Sequence, residues 1–506
     1  MRSAISSGHS TGDRTPTIDG KDQTLQDKEE PPVTSTRPKQ QQLAPQFVDD
    51  PVSEEETTRI AEEPQGGQSR AAATEKSALD SLSMNLMEQV VDTENMERAW
   101  KKVKANHGAP GPDGITLEQF PEHFRPLWPE IRQQLLDGTY RPEAVRRKVI
   151  AKPDGGERLL GIPNVQERLI QQAILQVLTP IFDPDFSESS FGFRPGRSAH
   201  GAVKQAVRYI KQGYRFAVNM DLSKFFDRVQ HDVLMSCVAR KVRDKRMLRL
   251  IGRYLRAGVM VNGLVQPSPE GTMQGGPLSP MLANILLDDL DKELESRGLR
   301  FARYADDFQI YVKTHRSARR VFASVERFLT RKLKLVVNRQ KSCIAKTNGV
   351  EFLGFKFIGR RCEIRVTAKN LVKFKQRVRE ITARNRGISM SRMLGELRQY
   401  LRGWIGYFGL AATKGIFASL DEWIRRRVRM CFWKQWRYPR TRIRKLKQLG
   451  VPHDVAVPHG TSHKAYWRLA KTLGGHMGMT KQWLLDQGLV FLRYLWSELA
   501  PLRRIA

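Results

Sequence analysis

The spacing of apolar residues separates the chain into a terminal stretch without periodicity and a long folded part. Residues 1–76 are rich in Pro, Ser, Thr, Gln and charge, with almost no aromatic residues. Such a segment cannot bury enough apolar surface to offset the entropy lost on folding. We therefore predict a disordered extension over 1–76, with helical periodicity from about residue 84 onward.

The central third alternates between strand and helix patterns. The predicted elements are, in order, a strand over 215–220, a helix from about 231, a helix over 279–297, strands over 301–304 and 308–312, a helix over 317–332 and a strand over 335–337. This is the order of a split βαβ unit, an antiparallel sheet with helices on one face. It places Asp306 and Asp307 at the tip of a central hairpin.

The flanking segments have simpler patterns. Residues 145–150 predict a strand that enters a Pro-Asp-Gly-Gly turn and returns through 158–160 as a β-hairpin. The other predicted helices cover 165–178, 202–212, 371–386, 391–407 and 420–434. Together these elements predict an α+β fold whose C-terminal part is all helical.

Charge indicates the partner. The chain has 86 Lys and Arg against 53 Asp and Glu, a formal net charge of +33, although residues 1–76 hold nine basic and fourteen acidic residues. Cations placed on phosphates release condensed counterions, so nucleic acid is the expected partner and an acidic membrane surface the second choice. No apolar run approaches the roughly 18 residues of a membrane span. The tryptophans and arginines are spread over several segments and not gathered on one short amphipathic helix, so we expect no membrane partner.

The four cysteines, Cys237, Cys343, Cys362 and Cys431, are far apart and form no Cys-x-x-Cys pair. This spacing argues against a structural zinc site and against a disulfide framework. We therefore expect an intracellular protein without zinc.

Three carboxylates are the candidate catalytic residues: Asp221, which ends a predicted strand, and the adjacent pair Asp306 and Asp307. Like charges at short range cannot all ionise comfortably unless something neutralises them. Two divalent cations would do so, and in phosphoryl transfer such ions hold the attacking and leaving oxygens. From the residues alone, a solvated Asp-Asp turn is an equally good interpretation of the pair.

Five motifs, in order, resemble those of reverse transcriptases. Tyr-Ala-Asp-Asp at 304–307 resembles their YxDD box, and 221–227 resembles the motif with the first catalytic aspartate. Residues 271–280 resemble the QGxxxSP segment beneath the incoming nucleotide. Residues 160–163 and 190–198 are similar to fingers motifs of group II intron enzymes. The resemblance implies a right-hand polymerase with fingers, palm and thumb.

The resemblance also implies roles for single residues. Asp221 and Asp306 would be the principal ligands of two Mg²⁺ ions, with Asp307 assisting and the Leu222 carbonyl completing one coordination sphere. The residues implied to contact the deoxynucleotide (dNTP) are the steric gate Phe226, Gln274, the fingers cations Lys152 and Arg158, and the palm lysine Lys341. Core packing of Phe226 and an exposed basic hairpin remain alternatives. Residues 352–354 resemble the primer-grip hairpin.

The sequence after the palm resembles the maturase-specific, or X, domain of group II intron proteins, at 401–408, 420–427 and 433–437. Its aromatic residues are expected to form the thumb core. The candidate RNA contacts are Arg194, Arg197, Arg402, Arg425, Arg426 and Arg429. The implied boundaries are the extension 1–76, the N-terminal region and fingers 77–215, the palm 216–362, the thumb and X domain 363–445, and a small basic, DNA-binding-like region 446–506.

The implied function is an RNA-directed DNA polymerase encoded by a group II intron, which also binds the intron RNA as a maturase to assist splicing and retrohoming. Expected partners are that RNA, the target DNA and the primer–template duplex, in a cytoplasmic, bacterial ribonucleoprotein. The His and paired-Cys endonuclease module of many family members is not visible, so the chain resembles the form without it. Three alternatives stay open: a retron-like reverse transcriptase, an RNA-dependent RNA polymerase, and an RNA-binding maturase without polymerase activity.

Overall fold

The computed structural model describes residues 85–151, 157–261, 264–266, 271–272, 275–359, 361–411 and 414–499. All of these belong to the unit formed by Ala61–Ala506. The extension over 1–76, predicted to be disordered, lies outside the described residues.

The N-terminal part is a helical layer beside a hairpin. Its elements are α1 (Leu86–Val90), α2 (Thr93–Ala105), α3 (Phe120–Leu136), β1 (Val145–Ala151), β2 (Glu157–Ile162), α4 (Val165–Phe182) and α5 (Ala199–Lys211). The Asp92 side chain begins α2 by accepting from the backbone N–H groups of Glu94 and Asn95, and Ser198 caps α5 through the N–H of Gly201. Residues 145–151 and 157–162 form the predicted hairpin.

The middle of the chain carries the four-stranded sheet that holds the candidate site. Its elements are β3 (Phe216–Met220), α6 (His231–Ala239), α7 (Lys245–Arg256), β4 (Val259–Val261), β5 (Leu264–Gln266), α8 (Ser279–Ser296), β6 (Arg300–Tyr304), β7 (Asp307–Val312), α9 (His315–Arg331) and β8 (Cys343–Lys346). Four strands pair antiparallel in the order β6-β7-β3-β8, which confirms the split βαβ unit. A second sheet has the order β2-β1-β4-β5.

The fourth strand of this unit is not where the apolar pattern predicted it. The prediction was 335–337, whereas the strand that pairs with β3 is Cys343–Lys346. Val337 makes only an isolated bridge to Leu222, and the chain then turns. Leu335 and Val337 are buried, and the alternation of apolar and polar residues cannot distinguish burial of this kind from strand pairing.

The sheet separates two apolar cores. Val218 and Ile310 lie in the core that contains the buried face of α9. Ala217 and Tyr311, one position along each strand, lie in a second core shared with the C-terminal helices. Because successive strand residues point to opposite faces, Asp221 and Asp307 follow the parity of the second face. The carboxylates and α9 are therefore on opposite sides of the sheet.

The C-terminal part is a small sheet followed by helices. Its elements are β9 (Glu351–Phe352), β10 (Phe355–Ile358), β11 (Glu363–Val366), α10 (Ala368–Ile381), α11 (Met390–Phe408), α12 (Lys414–Gln435), α13 (Pro439–Gln448), α14 (His453–Gly460), α15 (Tyr466–Leu469), α16 (Leu473–Gly478), α17 (Lys481–Asp486) and α18 (Leu492–Glu498). Trp404 is buried against Phe374 with ring centroids 4.4 Å apart, as expected for a thumb-core aromatic residue. Among the described helices, none is long and apolar enough to cross a membrane.

Candidate active site

Strand pairing brings the three predicted catalytic aspartates to one cleft. The β3–β7 ladder ends at the pair Met220–Phe308, so Asp221 and Asp307 are the next residues on neighbouring strands. A cleft of about 340 Å³ is lined by Asn219, Met220, Asp221, Leu222, Asp306, Asp307, Lys341, Glu351, Phe352, Leu353 and Gly354. The aspartates, the predicted palm lysine and the predicted primer-grip turn therefore meet at one place.

Several non-glycine residues in or next to the segments that form this cleft have left-handed backbone. Ala305, in the aspartate turn, has φ +56°, and Lys224 and Leu353 have φ +49° and +48°. Phe193, whose ring centroid lies 6.0 Å from that of Tyr304, has φ +57°. Side chains other than glycine adopt this conformation at a cost of order 1–3 kcal/mol, so the surrounding structure must hold it.

A buried ion pair holds the aspartate turn in place. Arg303 and Asp291 are both fully buried, and Arg303 Nε donates to Asp291 Oδ1 at 2.8 Å. The same guanidinium donates to the Ala305 carbonyl at 3.1 Å, to Asn284 Oδ1 at 2.9 Å and to Ser190 Oγ at 2.8 Å. Desolvation raises the pKa of Asp291, and the facing guanidinium opposes that rise. One side chain thus connects the turn, α8 and the loop before α5.

That loop also approaches the turn directly. The Phe191 N–H donates to the Arg303 carbonyl at 2.9 Å, and Asn284 Nδ2 donates to the Gly192 carbonyl at 2.8 Å. A Cβ at Gly192 would lie 2.3 Å from the Ala305 backbone nitrogen. Only glycine permits this approach, because the obstacle is backbone and cannot move aside.

The backbone of Asp221 is braced from the other side of the cleft. Its N–H donates to Ser342 Oγ at 3.0 Å, and its carbonyl accepts from the Asn338 N–H at 2.8 Å. Ser342 and Asn338 flank Lys341, which lines the cleft. The segment predicted to supply a cation at the pyrophosphate therefore also fixes the first aspartate.

The electrostatics of the cleft fit a divalent cation. The pKa of Asp307 is raised to about 7 by desolvation and by the charges of Asp306 and Asp221. Its side chain keeps solvent access, so repulsion among the carboxylates is the cause that the geometry supports most directly. Such a cluster of hard oxygen donors would be neutralised by Mg²⁺ or a similar ion.

The carboxylates do not form a closed ligand cage. Across the described ranges, no three or more His, Cys, Asp or Glu side chains are arranged as a metal-binding group. Mg²⁺ usually takes one or two protein carboxylates and completes its shell with water and substrate phosphate oxygens. The fit therefore rests on charge and donor type, and the ligand roles of Asp221, Leu222, Asp306 and Asp307 stay predictions.

The predicted nucleotide contacts are only partly within the described chain. Lys152 and Gln274 lie outside the described residues, and Arg158 is described only through its backbone, which pairs with Ile150. Phe226 is half-buried, and its carbonyl accepts from the Thr272 N–H at 2.6 Å. This contact joins the predicted steric-gate residue to the segment that leads to Gln274.

The predicted primer-grip turn is fixed by the helical thumb. Tyr407 Oη donates to the Leu353 carbonyl at 2.9 Å. Gly354 has φ +81°, and a Cβ there would lie 2.6 Å from Asn370 Nδ2. The glycine is therefore required by its left-handed backbone and by close packing on α10, a reason that differs from close approach to a primer.

The predicted RNA-contact arginines fall into two groups. Arg194 and Arg429 are buried and donate to internal groups, Asp183 Oδ1 for the first and the Met479 carbonyl for the second. These two are structural in this conformation, which corrects their assignment as RNA contacts. The others keep solvent access: Arg197, paired with Glu188, Arg402, Arg425, and Arg426, whose guanidinium lies 3.9 Å from the Trp467 ring centroid.

One basic surface was missed by the motif comparison. A hollow of about 590 Å³ on α13 is lined by Arg440, Arg444 and Lys447, with Ile443 and Gln448. Cations three and four positions apart share one face of a helix, so the sequence of α13 carried this signal.

Taken together, paired strands that present three carboxylates, a β-hairpin, and C-terminal helices packed on the turn at 352–354 define a template-directed nucleic-acid polymerase. Comparison with known families agrees. Residues 150–357 match the family described as reverse transcriptase (RNA-dependent DNA polymerase). Residues 371–450 match the group II intron maturase-specific domain.

Individual relatives support the same assignment. Protein YkfC of Escherichia coli K12 is 30% identical over 62% of this chain and 92% of its own length. The group II intron-encoded protein LtrA of Lactococcus lactis is 42% identical over 34% of this chain and 29% of its own. A putative COX1/OXI3 intron 2 protein of Saccharomyces cerevisiae is 28% identical over 54% and 39%. The chain belongs to the reverse transcriptases and maturases encoded by group II introns.

Proposed function

We propose that this chain extends a primer with dNTPs on an RNA template, using Mg²⁺, and that it also binds its parent intron RNA as a maturase. The observation that carries the polymerase part is the convergence of Asp221, Asp306 and Asp307 in one cleft. Divalent ions and dNTPs are the general requirements of reverse transcriptases. Mg²⁺ is our choice because the donors are hard carboxylate oxygens.

The aspartates would act mainly through position and charge. Asp221 is fixed through its backbone by Asn338 and Ser342, and the aspartate turn is fixed by Arg303. When bound, two divalent ions would activate the primer hydroxyl and stabilise the departing pyrophosphate. Desolvation and the charges of Asp306 and Asp221 raise the pKa of Asp307, and the negative potential of these clustered carboxylates would attract the ions.

Other residues would position the substrate. Lys152, Arg158 and Lys341 would meet the triphosphate through charge-assisted hydrogen bonds. Phe226, half-buried beside Phe225 at 5.1 Å between ring centroids, has a position held by packing, as a steric gate against a ribose 2′-hydroxyl requires.

The maturase part rests on the domain matched at 371–450 and on its solvent-accessible cations. Arg402 and Arg425, with the basic hollow on α13, are available to phosphates. We place the target DNA and the primer–template duplex in the cleft between hairpin and thumb, and the protein in a cytoplasmic ribonucleoprotein.

Primer extension tests the polymerase part. Purified protein, an RNA template, a DNA primer, dNTPs and Mg²⁺ should give a DNA product, and the Asp306→Asn/Asp307→Asn variant should give none. The Asp289→Asn variant is the matched control, because Asp289 pairs with Arg240 on the surface of α8. A folded protein that makes no product would leave RNA-binding maturase as its function. Product that persists in the double variant would refute the catalytic assignment.

A further inference from the structure

The helix α9 covers the face of the palm sheet opposite the catalytic cleft. Its buried residues Val321 and Val325 lie in the same core as Ile310. The cleft residues Asn219 and Asp307 alternate with that core face along their strands, so they point to the other side. The outer face of α9 is therefore separated from the polymerase cleft by the whole sheet.

The charge on this outer face is almost entirely positive. Seven exposed cations lie on α9 and the turn after it: Arg316, Arg319, Arg320, Arg327, Arg331, Lys332 and Lys334. Within 313–339 the single acidic residue is Glu326, and it pairs with Arg339 at 2.7 Å. In the part of the chain that the structure describes, none of the seven forms an ion pair with a carboxylate. We call these seven residues the palm back surface.

Solubility alone does not require such a surface. Arg316 and Arg320, and Arg327 and Arg331, are like charges four residues apart on one helix, and like charges at this spacing destabilise the helix. A mixed surface would keep the helix soluble without that cost. The unbalanced charge therefore indicates a polyanionic partner that restores the balance when it binds.

We propose that the palm back surface binds the phosphate backbone of folded RNA outside the polymerase cleft. From Arg316 to Arg331 it spans about 22 Å at 1.5 Å per helical residue, long enough for several phosphates. Five of the seven cations are arginines, whose planar guanidinium groups suit phosphate oxygens. Contact at the back of the palm leaves the cleft open for primer and template. This inference rests on the maturase part of the proposed function.

The test compares two variants with equal loss of charge. The first is Arg316→Gln/Arg320→Gln/Arg327→Gln/Arg331→Gln, which keeps helix propensity because Arg and Gln are similar helix formers. The control is Arg240→Gln/Arg365→Gln/Arg377→Gln/Arg392→Gln, four exposed arginines that already pair with carboxylates. The probe is a labelled, fully paired RNA hairpin with a blocked 3′-end, added after a dideoxy-terminated primer–template has filled the cleft.

We expect the salt dependence of probe binding to change in the first variant alone. Four lost phosphate contacts should make the slope of log K against log salt shallower by about 3, at roughly 0.7–0.9 per phosphate. The control should change by less than about 1, and both variants should extend primers as the unmodified protein does. Equal changes in the two variants would reduce the effect to net charge and overturn the proposal, as would weakening on duplex DNA without weakening on RNA. If the unmodified protein does not extend primers, that result would count against the polymerase proposal and not against this inference.

Discussion

The buried pair Arg303–Asp291 makes the sharpest prediction about how the active-site turn is held. Both side chains are fully buried, and the guanidinium also holds the Ala305 carbonyl, one residue before Asp306. In Asp291→Asn the volume is unchanged but the guanidinium loses its counter-charge. Breaking a buried pair by removing one partner costs about 3–5 kcal/mol, because the remaining charge stays desolvated.

We therefore expect Asp291→Asn to lower the free energy of unfolding by about 3–5 kcal/mol in urea titrations. Below the unfolding transition, we also expect a lower kcat for primer extension at a nearly constant KM for dNTP. The reason is that Arg303 supports the aspartate turn, which affects kcat. Within the described residues, no hydrogen bond joins Arg303 to a predicted nucleotide-binding side chain, so KM should not change. A purely structural role would reduce the active fraction but would not change the apparent Mg²⁺ requirement, whereas a displaced turn should raise it.

Two controls separate stability from positioning. Asp289 lies on the same helix as Asp291, and Asp289→Asn breaks its partly exposed pair with Arg240; exposed pairs are worth about 0–1 kcal/mol. Arg303→Met/Asp291→Leu removes both charges, and apolar replacement of a buried pair is often neutral for stability. The double variant should regain part of the stability but not kcat, since the Ala305 carbonyl, Asn284 and Ser190 then all lose their guanidinium donor. If Asp291→Asn lowers the free energy of unfolding by less than about 1 kcal/mol, or if the double variant extends primers as well as the unmodified protein, this reasoning is refuted.

Three further predictions concern single residues. Gly192→Ala should lower the free energy of unfolding by about 1–3 kcal/mol and remove most of the extension activity, because the new Cβ would lie 2.3 Å from the Ala305 nitrogen. Gly395→Ala is the control, since there is open space around that position, and it should lower neither stability nor activity. Phe226→Ala should reduce discrimination against ribonucleotides by roughly tenfold or more in competition assays, and unchanged discrimination would remove the steric-gate role. Glu167 is buried, and desolvation raises its pKa to about 7 from 4.5. The folded state then binds the extra proton between those values, so stability should fall as pH rises from about 4.5 to 7, and Glu167→Gln should flatten that dependence in urea titrations.

Much of the palm could be predicted because its chemistry lies in short, local motifs. Predicting the hairpin tip at Asp306–Asp307 and the strand end at Asp221 required only the apolar alternation and the order of the strands. The ladder between β3 and β7 confirms that these two positions are close together. The predicted position of the fourth strand was wrong because Leu335 and Val337 are buried without pairing in a ladder. Burial and strand pairing leave the same apolar signature over three residues, so only tertiary structure separates them.

Charged residues were harder to assign, because the function of a charge depends on its partner. Asp289 and Asp291 lie two positions apart on one helix, yet the first pairs with the exposed Arg240 and the second with the buried Arg303. The motif at 190–198 similarly suggested RNA contact for Arg194, which instead donates to Asp183 and to loop carbonyls. An arginine in a basic protein is therefore weak support for nucleic-acid contact until it is known whether a carboxylate of the same protein pairs with it. By that criterion the exposed arginines of α9, without carboxylate partners among the described residues, are stronger candidates than the motif arginine that is buried.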